Sequence, residues 1–182
     1  MRARELMALH PEAAELLAFY IRLVEFQKSG AKRLPDDLRR GPADWEQRVL
    51  GQREAERQAS IAGKCDACGT RPVAAVLRGE GEGGKRSLVC SMCSSEWESR
   101  RILCPNCGEE DKEKLPVFSS EERQFDYIRI EACDSCRTYL KSIDMTKNGL
   151  AIPIVDEIAS VTLNVWAEEH GYTKIEPNLL GL

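Results

Sequence analysis

Eight cysteines fall into four Cys-x-x-Cys pairs: Cys65/Cys68, Cys90/Cys93, Cys104/Cys107 and Cys133/Cys136. Two residues between cysteines let a tight turn aim both sulfurs at one point, and the N–H groups of that turn can donate to the thiolates. One pair supplies half of a tetrahedral site. A second pair, brought in across a hairpin, supplies the rest. With no cysteine left over, the chain predicts two metal ions, each held by four thiolates.

Other uses of cysteine fit the pattern less well. Packing alone does not require such regular pairs. A thioredoxin-like redox centre needs one pair opening a helix after a strand, and iron–sulfur clusters use denser spacing. The pairs can combine sequentially, interleaved or nested. The intervals of 21 and 25 residues each hold two strands and a turn, whereas the middle interval, SSEWESRRIL, is a connector of 10 residues. Sequential pairing is favoured, with interleaving as its competitor. Site 1 is then Cys65, Cys68, Cys90 and Cys93, and site 2 is Cys104, Cys107, Cys133 and Cys136. A tetrahedral sulfur site suits zinc or a single iron equally by geometry. Spacing alone leans to zinc, because closed four-cysteine sites are commonly structural.

The elements that must position these pairs form an internal repeat. CDACGTRPVAAVLRGEGEGGKRSLVCSMCSSEW and CPNCGEEDKEKLPVFSSEERQFDYIRIEACDSCRTYL each open with C-x-x-C-G, pass through two strand-like runs, close with C-x-x-C and then offer an aromatic. Strands are expected at Val73–Leu77 and Ser87–Val89 in the first copy. In the second they are expected at Pro116–Phe118 and Phe125–Ile130, the latter on its aromatic and β-branched content. Ahead of the repeat, residues 1–62 read as helical. Pro11 suits a first turn and Gly30 a stop. Between them Leu16, Leu17, Phe19, Tyr20, Ile21, Leu23, Val24 and Phe26 make an apolar surface too wide for one core-facing stripe. Neighbours bury it, or a partner does. A linker at 32–42 and a second helix over Pro42–Ala62 follow. Behind the repeat, a helix is expected from about Val155 to His170, ended by Gly171. The fold class is α+β: a helical N-terminal region (1–62), a first metal module (63–99), and a second (100–182) that includes a C-terminal helix.

Composition narrows the function classes. The chain has 182 residues and a net charge of −4, and two filled four-thiolate sites add about −4 more. The knuckle residues Asp66, Ala67, Ser91, Met92, Pro105, Asn106, Asp134 and Ser135 are neutral or acidic, which argues against a phosphate-tracking nucleic-acid binder. No apolar run reaches the roughly 18 residues of a membrane span, and the charged N-terminus has no signal-peptide core. A cytoplasmic protein is expected, where metal explains cysteines better than disulfides do. No Ser/His/Asp set, P-loop or H-E-x-x-H stands out, so no catalytic residue is assigned. His10 reads as a loop residue and His170 as a helix C-terminal contact. Asp156 and Glu157 read as a helix N-terminus, and Glu96 and Trp97 as a packing corner.

From Cys65 onward the chain resembles the FdhE family, the formate dehydrogenase accessory proteins. The matching pieces are CDACGTRP, SLVCSMCSSEW, RRILCPNCG, RIEACDSCRTYLK and DEIASVTLNVWAEEHGY, and LHPEAAELLAFYIRLVEFQ is similar to the family's opening helix. The resemblance implies two tandem rubredoxin-like modules behind a helical part. It implies iron rather than zinc as the favoured metal, and a cytoplasmic, non-enzymatic role in which the protein binds the catalytic subunit of formate dehydrogenase during maturation. Two departures accompany it. The N-terminal part is shorter than is usual, and Glu98 stands where the family often has His. A rubredoxin-like electron carrier and a zinc-ribbon nucleic-acid module are the competing functions.

Overall fold

A computed structural model describes residues 2–29, 63–79, 84–119 and 125–182. Two helices lead, α1 (Arg2–Leu9) and α2 (Ala14–Ser29), joined by a short 3-10 turn over Pro11–Ala13. Six strands follow: β1 (Pro72–Arg78), β2 (Lys85–Cys90), β3 (Glu96–Glu98), β4 (Val117–Ser119), β5 (Ile128–Cys133) and β6 (Thr138–Asp144). Helices α3 (Pro153–Ala159) and α4 (Val161–Glu169) and a short β7 (Thr173–Lys174) complete the chain. The linker expected at 32–42 and the helix expected over Pro42–Ala62 lie outside the described residues.

All strands among the described residues share one sheet in the order β3-β2-β1-β6-β5-β4, with β7 also on β6. Each repeat contributes three strands joined antiparallel. The repeats meet where β1 runs parallel to β6, in the register Ala74↔Lys141 to Leu77↔Asp144. β1 is therefore a central strand, which explains its near-continuous apolar sequence PVAAVLR and its burial on both faces. The strands of the two modules form one continuous sheet. The third strand of each repeat, β3 or β6, was not expected from sequence, and β6 (TYLKSID) is the strand that joins the two halves.

The helices cover one face. Leu6 and Leu17 pack with Val73, Ile128, Ile143 and Ile158 into the main core. The wide apolar surface of α2 is used mostly in this way: Leu17, Phe19 and Leu23 are buried, and Leu16, Tyr20, Ile21 and Phe26 pack against the core. The opposite face carries Leu77, Arg86, Arg129, Glu131 and Leu140, on register positions that alternate with the helix-facing ones.

Several expectations change. Strand β5 begins at Ile128, not Phe125. Phe125 instead stacks on His10, with ring centroids 4.3 Å apart, and His10 is buried against it as the residue before the 3-10 turn, not an open loop residue. The single C-terminal helix is two, broken at Ser160. The break has a cause. Buried Lys141 donates to the carbonyls of Glu157 and Ser160, and the Ser160 hydroxyl donates to those of Asp156 and Glu157. These bonds give the Glu157 carbonyl two side-chain donors at the break and supplement the helix bonds already made to the Asp156 and Ser160 carbonyls. Asp156 stands in the first turn of α3, as expected, and both it and Glu157 are fully buried. Asp156 accepts from Arg2 at 2.7 Å, from the Tyr127 hydroxyl at 2.7 Å and from the Ile152 N–H at 2.9 Å. Glu157 meets Lys141 at 2.8 Å, together with Lys174 and Asn178. These carboxylates tie α1 and the C-terminal tail to the sheet. Burial alone would push Glu157 up, but Lys141 and Lys174 outweigh it and hold its carboxyl below the usual range.

Candidate metal centres

Each cysteine pair sits on a turn of the same build. The first cysteine donates its N–H to the carbonyl five residues on: Cys65 to Thr70 at 2.9 Å, Cys90 to Ser95 at 2.9 Å and Cys104 to Glu109 at 2.8 Å. In the fourth turn Cys133 pairs with Thr138 across β5 and β6. The residue after each second cysteine adopts positive φ: Gly69 (80°), Ser94 (57°), Gly108 (79°) and Arg137 (55°). Two turns take glycine there, as the left-handed region favours. Arg137 takes it with its side chain held by Asp134, the carbonyl of His170 and the ring of Tyr172.

The turns bring the thiols together in the sequential grouping. The sulfurs of Cys65, Cys68, Cys90 and Cys93 all lie within 4.8 Å of one another, and so do those of Cys104, Cys107, Cys133 and Cys136. Individual sulfur–sulfur distances are 3.3–3.6 Å in site 1 and 3.7 Å in site 2. A metal–sulfur bond of about 2.3 Å puts the corners of a tetrahedron about 3.8 Å apart. Both groups therefore fit one tetrahedrally bound ion. Neither histidine belongs to either group. His170 stacks on Trp166 and bonds the Trp166 carbonyl at the end of α4.

The surroundings suit thiolates. Sγ of Cys90 accepts from the N–H groups of Met92 and Cys93, and Cys65 and Cys104 accept from the equivalent groups of their own turns. Hydroxyls also lie against the sulfurs two residues after a second cysteine. Thr70 lies 3.1 Å from Cys68 and 2.8 Å from Cys90, Ser95 3.1 Å from Cys93, and Thr138 3.1 Å from Cys136. The sequence signal for these hydroxyls is a repeated C-x-x-C-x-[ST] pattern. At the third turn Glu109 replaces the hydroxyl, and its carboxylate instead accepts from Ser135 beside the fourth turn.

Burial pushes the Cys90 thiol up to about 12 and raises Cys65, Cys104 and Cys133 as well. Ser95 brings the exposed Cys93 thiol down to about 6. Burial opposes ionisation of Cys136, but Thr138, then Asn106, outweigh it and bring that thiol down to about 6. Each site thus mixes inner thiols reluctant to ionise with an outer one that ionises readily. A central cation makes four adjacent thiolates tolerable, because coordination deprotonates a thiol outright.

Strand direction places both sites at one end of the sheet. In each repeat the first cysteine pair precedes a strand and the second follows its antiparallel neighbour, and the two repeats run the same way. The sites are also wired together. Arg71 accepts from the Ser91 N–H in the second turn of site 1 and donates to Asn106 Oδ1, at 2.8 Å, in the first turn of site 2. Gly63 allows the close approach: at φ 125° a Cβ there would lie 2.2 Å from the Pro105 carbonyl oxygen. Spacing alone could not have revealed Arg71 or Asn106. Elsewhere, Trp97 packs as a corner residue against Ala75, Leu88 and Leu140, while Glu96 pairs with Arg78 and Glu98 with Lys85.

Comparison with known proteins agrees with this architecture. The FdhE central-domain family model matches residues 64–101, and the FdhE C-terminal-domain model matches residues 102–180. A protein FdhE homolog from Aquifex aeolicus is 42% identical over 118 residues, covering 64% of this chain and 41% of that protein. One from Pseudomonas aeruginosa is 35% identical over 142 residues, covering 75% of this chain and 45% of that protein. The crystal structure of the FdhE protein from Pseudomonas aeruginosa superposes with a TM-score of 0.58 at 36% identity, covering 64% of this chain and 40% of that one. The chain spans less than half the length of these relatives. With two four-cysteine sites able to hold metal ions on one sheet, and with these matches contiguous from residue 64 to 180, the chain belongs to the FdhE family.

Proposed function

We propose that this chain is a metal-binding accessory protein for formate dehydrogenase, needed for maturation or activity of that enzyme, and that it acts by binding the enzyme's catalytic subunit. The observation that carries this reading is the pair of four-sulfur sites at one end of a continuous sheet in an FdhE family chain. The eight cysteines are the metal ligands. Residues 63–99 and 100–182 are the two rubredoxin-like modules, behind a helical region at 1–62. The protein is not itself an enzyme, and it works in the cytoplasm.

Iron is the metal we favour, with zinc as the alternative. A four-thiolate iron centre can exist in two oxidation states, whereas zinc has no redox chemistry. The residues present suit either ion, by sulfur spacing and by the N–H and hydroxyl donors around the thiolates. A second reading, electron transfer, draws on the exposure of Cys68, Cys93 and Cys107, which puts sulfur from both sites at the surface.

One preparation tests these readings. The chain is purified without oxygen, its metal and absorption spectrum are measured, and capture of a formate dehydrogenase catalytic subunit is assayed. The expected result is an iron-thiolate spectrum with stoichiometric capture. Zinc with no capture, together with salt-sensitive nucleic-acid binding, would overturn the proposal.

A further inference from the structure

The sheet face turned away from the helices holds a cavity of about 300 Å³, a volume at the lower end of small-ligand clefts. Its floor is the row Leu140–Glu131–Val117 on one face of the sheet, with Leu77 further along β1 on the same face. The 101–105 segment and Leu115 wall it, and Ile175 closes one side. Most of this lining is aliphatic. Its charged groups are three arginines and one glutamate, Arg86, Arg101, Arg129 and Glu131, and Thr138 adds a hydroxyl.

The four charged side chains are not equivalent. Arg86 is buried and fully engaged. Its Nε and Nη2 donate to Glu131 at 3.1 and 2.7 Å, and its Nη1 donates to the Ser99 hydroxyl and the Arg100 carbonyl at 2.9 and 3.1 Å. Arg86 and Glu131 therefore form a closed, neutral pair. Arg129 is different. Its Nε is shielded from water and has no hydrogen-bond partner among the described residues. Its Nη2 lies 3.9 Å from Asp144 Oδ2, beyond hydrogen-bond distance. The other oxygen of Asp144 is occupied by the Thr146 N–H and hydroxyl, at 3.0 and 2.6 Å. Arg101 is exposed in the lining. With Arg86 matched by Glu131 and Arg129 only loosely paired with Asp144, exposed Arg101 leaves the cavity a positive excess next to an aliphatic wall.

We propose that this cavity binds a small aliphatic carboxylate. The carboxylate lies against Arg129 and Arg101, in the forked geometry that a guanidinium offers two oxygens. The aliphatic body lies along Leu77, Leu115, Val117 and Leu140. A bare phosphate leaves that wall wet, and a neutral alkyl ligand brings no counter-charge to the guanidinium groups of Arg101 and Arg129. The bound carboxylate also lies beside site 2, because Cys104 and Cys133 belong to the same lining. This site is independent of the proposed contact with formate dehydrogenase.

The test is calorimetric titration of the full metal-loaded chain with hexanoate, hexan-1-ol and inorganic phosphate. Hydrogen exchange of β1, β4 and β6 reports the location of binding and the integrity of the fold. Hexanoate is expected to bind with Kd on the order of 1 mM, and the other two at least about tenfold more weakly. Arg129→Gln should reduce hexanoate to the level of hexan-1-ol. Val117→Asp, at a position 54% exposed and therefore tolerant of change, should weaken hexanoate by a similar factor while leaving exchange elsewhere unaltered. The proposal fails if hexanoate and hexan-1-ol bind equally, if phosphate binds more tightly than hexanoate, or if hexanoate shows no heat at about ten times the expected Kd. It also fails if folded Arg129→Gln and Val117→Asp both bind hexanoate as the unmodified chain does.

Discussion

Arg71 donates a 2.8 Å hydrogen bond to Asn106, and that bond joins the two four-cysteine sites. The Arg71 carbonyl holds Ser91 in site 1, and the Asn106 side chain bonds Cys136 in site 2. One residue therefore positions a turn in each site. Outer partners of metal ligands typically affect affinity by about 10–100-fold. Asn106→Leu is expected to weaken metal at site 2 within that range and leave site 1 filled. Arg71→Met should give a smaller loss at the same site. Competition with a chromophoric chelator, read as metal released per chain, distinguishes the two sites. Equal release from both sites in Asn106→Leu would contradict this arrangement.

The hydroxyls two residues after the second cysteines make a graded prediction. Thr70 reaches two sulfurs, Cys68 and Cys90, whereas Ser95 reaches Cys93 alone. Thr70→Val should therefore speed metal loss from site 1 more than Ser95→Ala does. Timed release to excess chelator checks the order, and a reversed order would count against these hydroxyls as donors to thiolate.

Much of this site was legible in the cysteines alone. Spacing of 21, 10 and 25 residues favoured the sequential grouping that the turns adopt, because each long interval must fold back as a hairpin. The first hairpin was also readable: Val73–Leu77 has the apolar content of a buried strand, and the Gly-rich GEGEGG separates it from the short run Ser87–Val89. β6 was not readable, since TYLKSID places Lys141 and Asp144 within a central strand. Lys141 is tolerated there only because Glu157 and the carbonyls of Glu157 and Ser160 surround it, partners more than a dozen residues away. Asp156 does stand in the first turn of α3, as its sequence position suggests, but its burial and that of Glu157 have the same distant origin. Their position near a helix start looks local, while Arg2, Tyr127, Lys141 and Lys174 are distant in sequence.

The buried Glu157 gives a pH prediction. Its pKa is depressed in the folded chain, so its contribution is fully present above the ordinary glutamate value of 4.5 and is lost as pH falls through the depressed one. Thermal or denaturant unfolding between neutral pH and about pH 3 should show this acid limb flattened in Glu157→Gln relative to the unmodified chain. At neutral pH the same substitution, which leaves Lys141 without its buried partner charge, is expected to cost about 3–5 kcal/mol. Identical acid limbs would show that Glu157 does not carry the effect.

Arg2 makes a local prediction. Its guanidinium bonds the fully buried Asp156 and the Tyr127 hydroxyl at 3.2 Å, which pins α1 against α3. Arg2→Met should cost about 1.5–3 kcal/mol, as for hydrogen bonds to charged groups. Faster amide exchange is expected in α1 and α2, with the β5–β6 core unchanged. Uniform acceleration over the whole chain would point to global destabilisation instead.

Metal content per chain tests the central claim most directly. Oxygen-free purification of the unmodified chain, Cys90→Ser and Cys133→Ser, followed by elemental analysis, is predicted to give two ions for the first and one for each variant. The remaining ion should lie in site 2 for Cys90→Ser and in site 1 for Cys133→Ser. Two ions retained in Cys90→Ser, or none in the unmodified chain, would contradict the assignment of two separate four-cysteine sites.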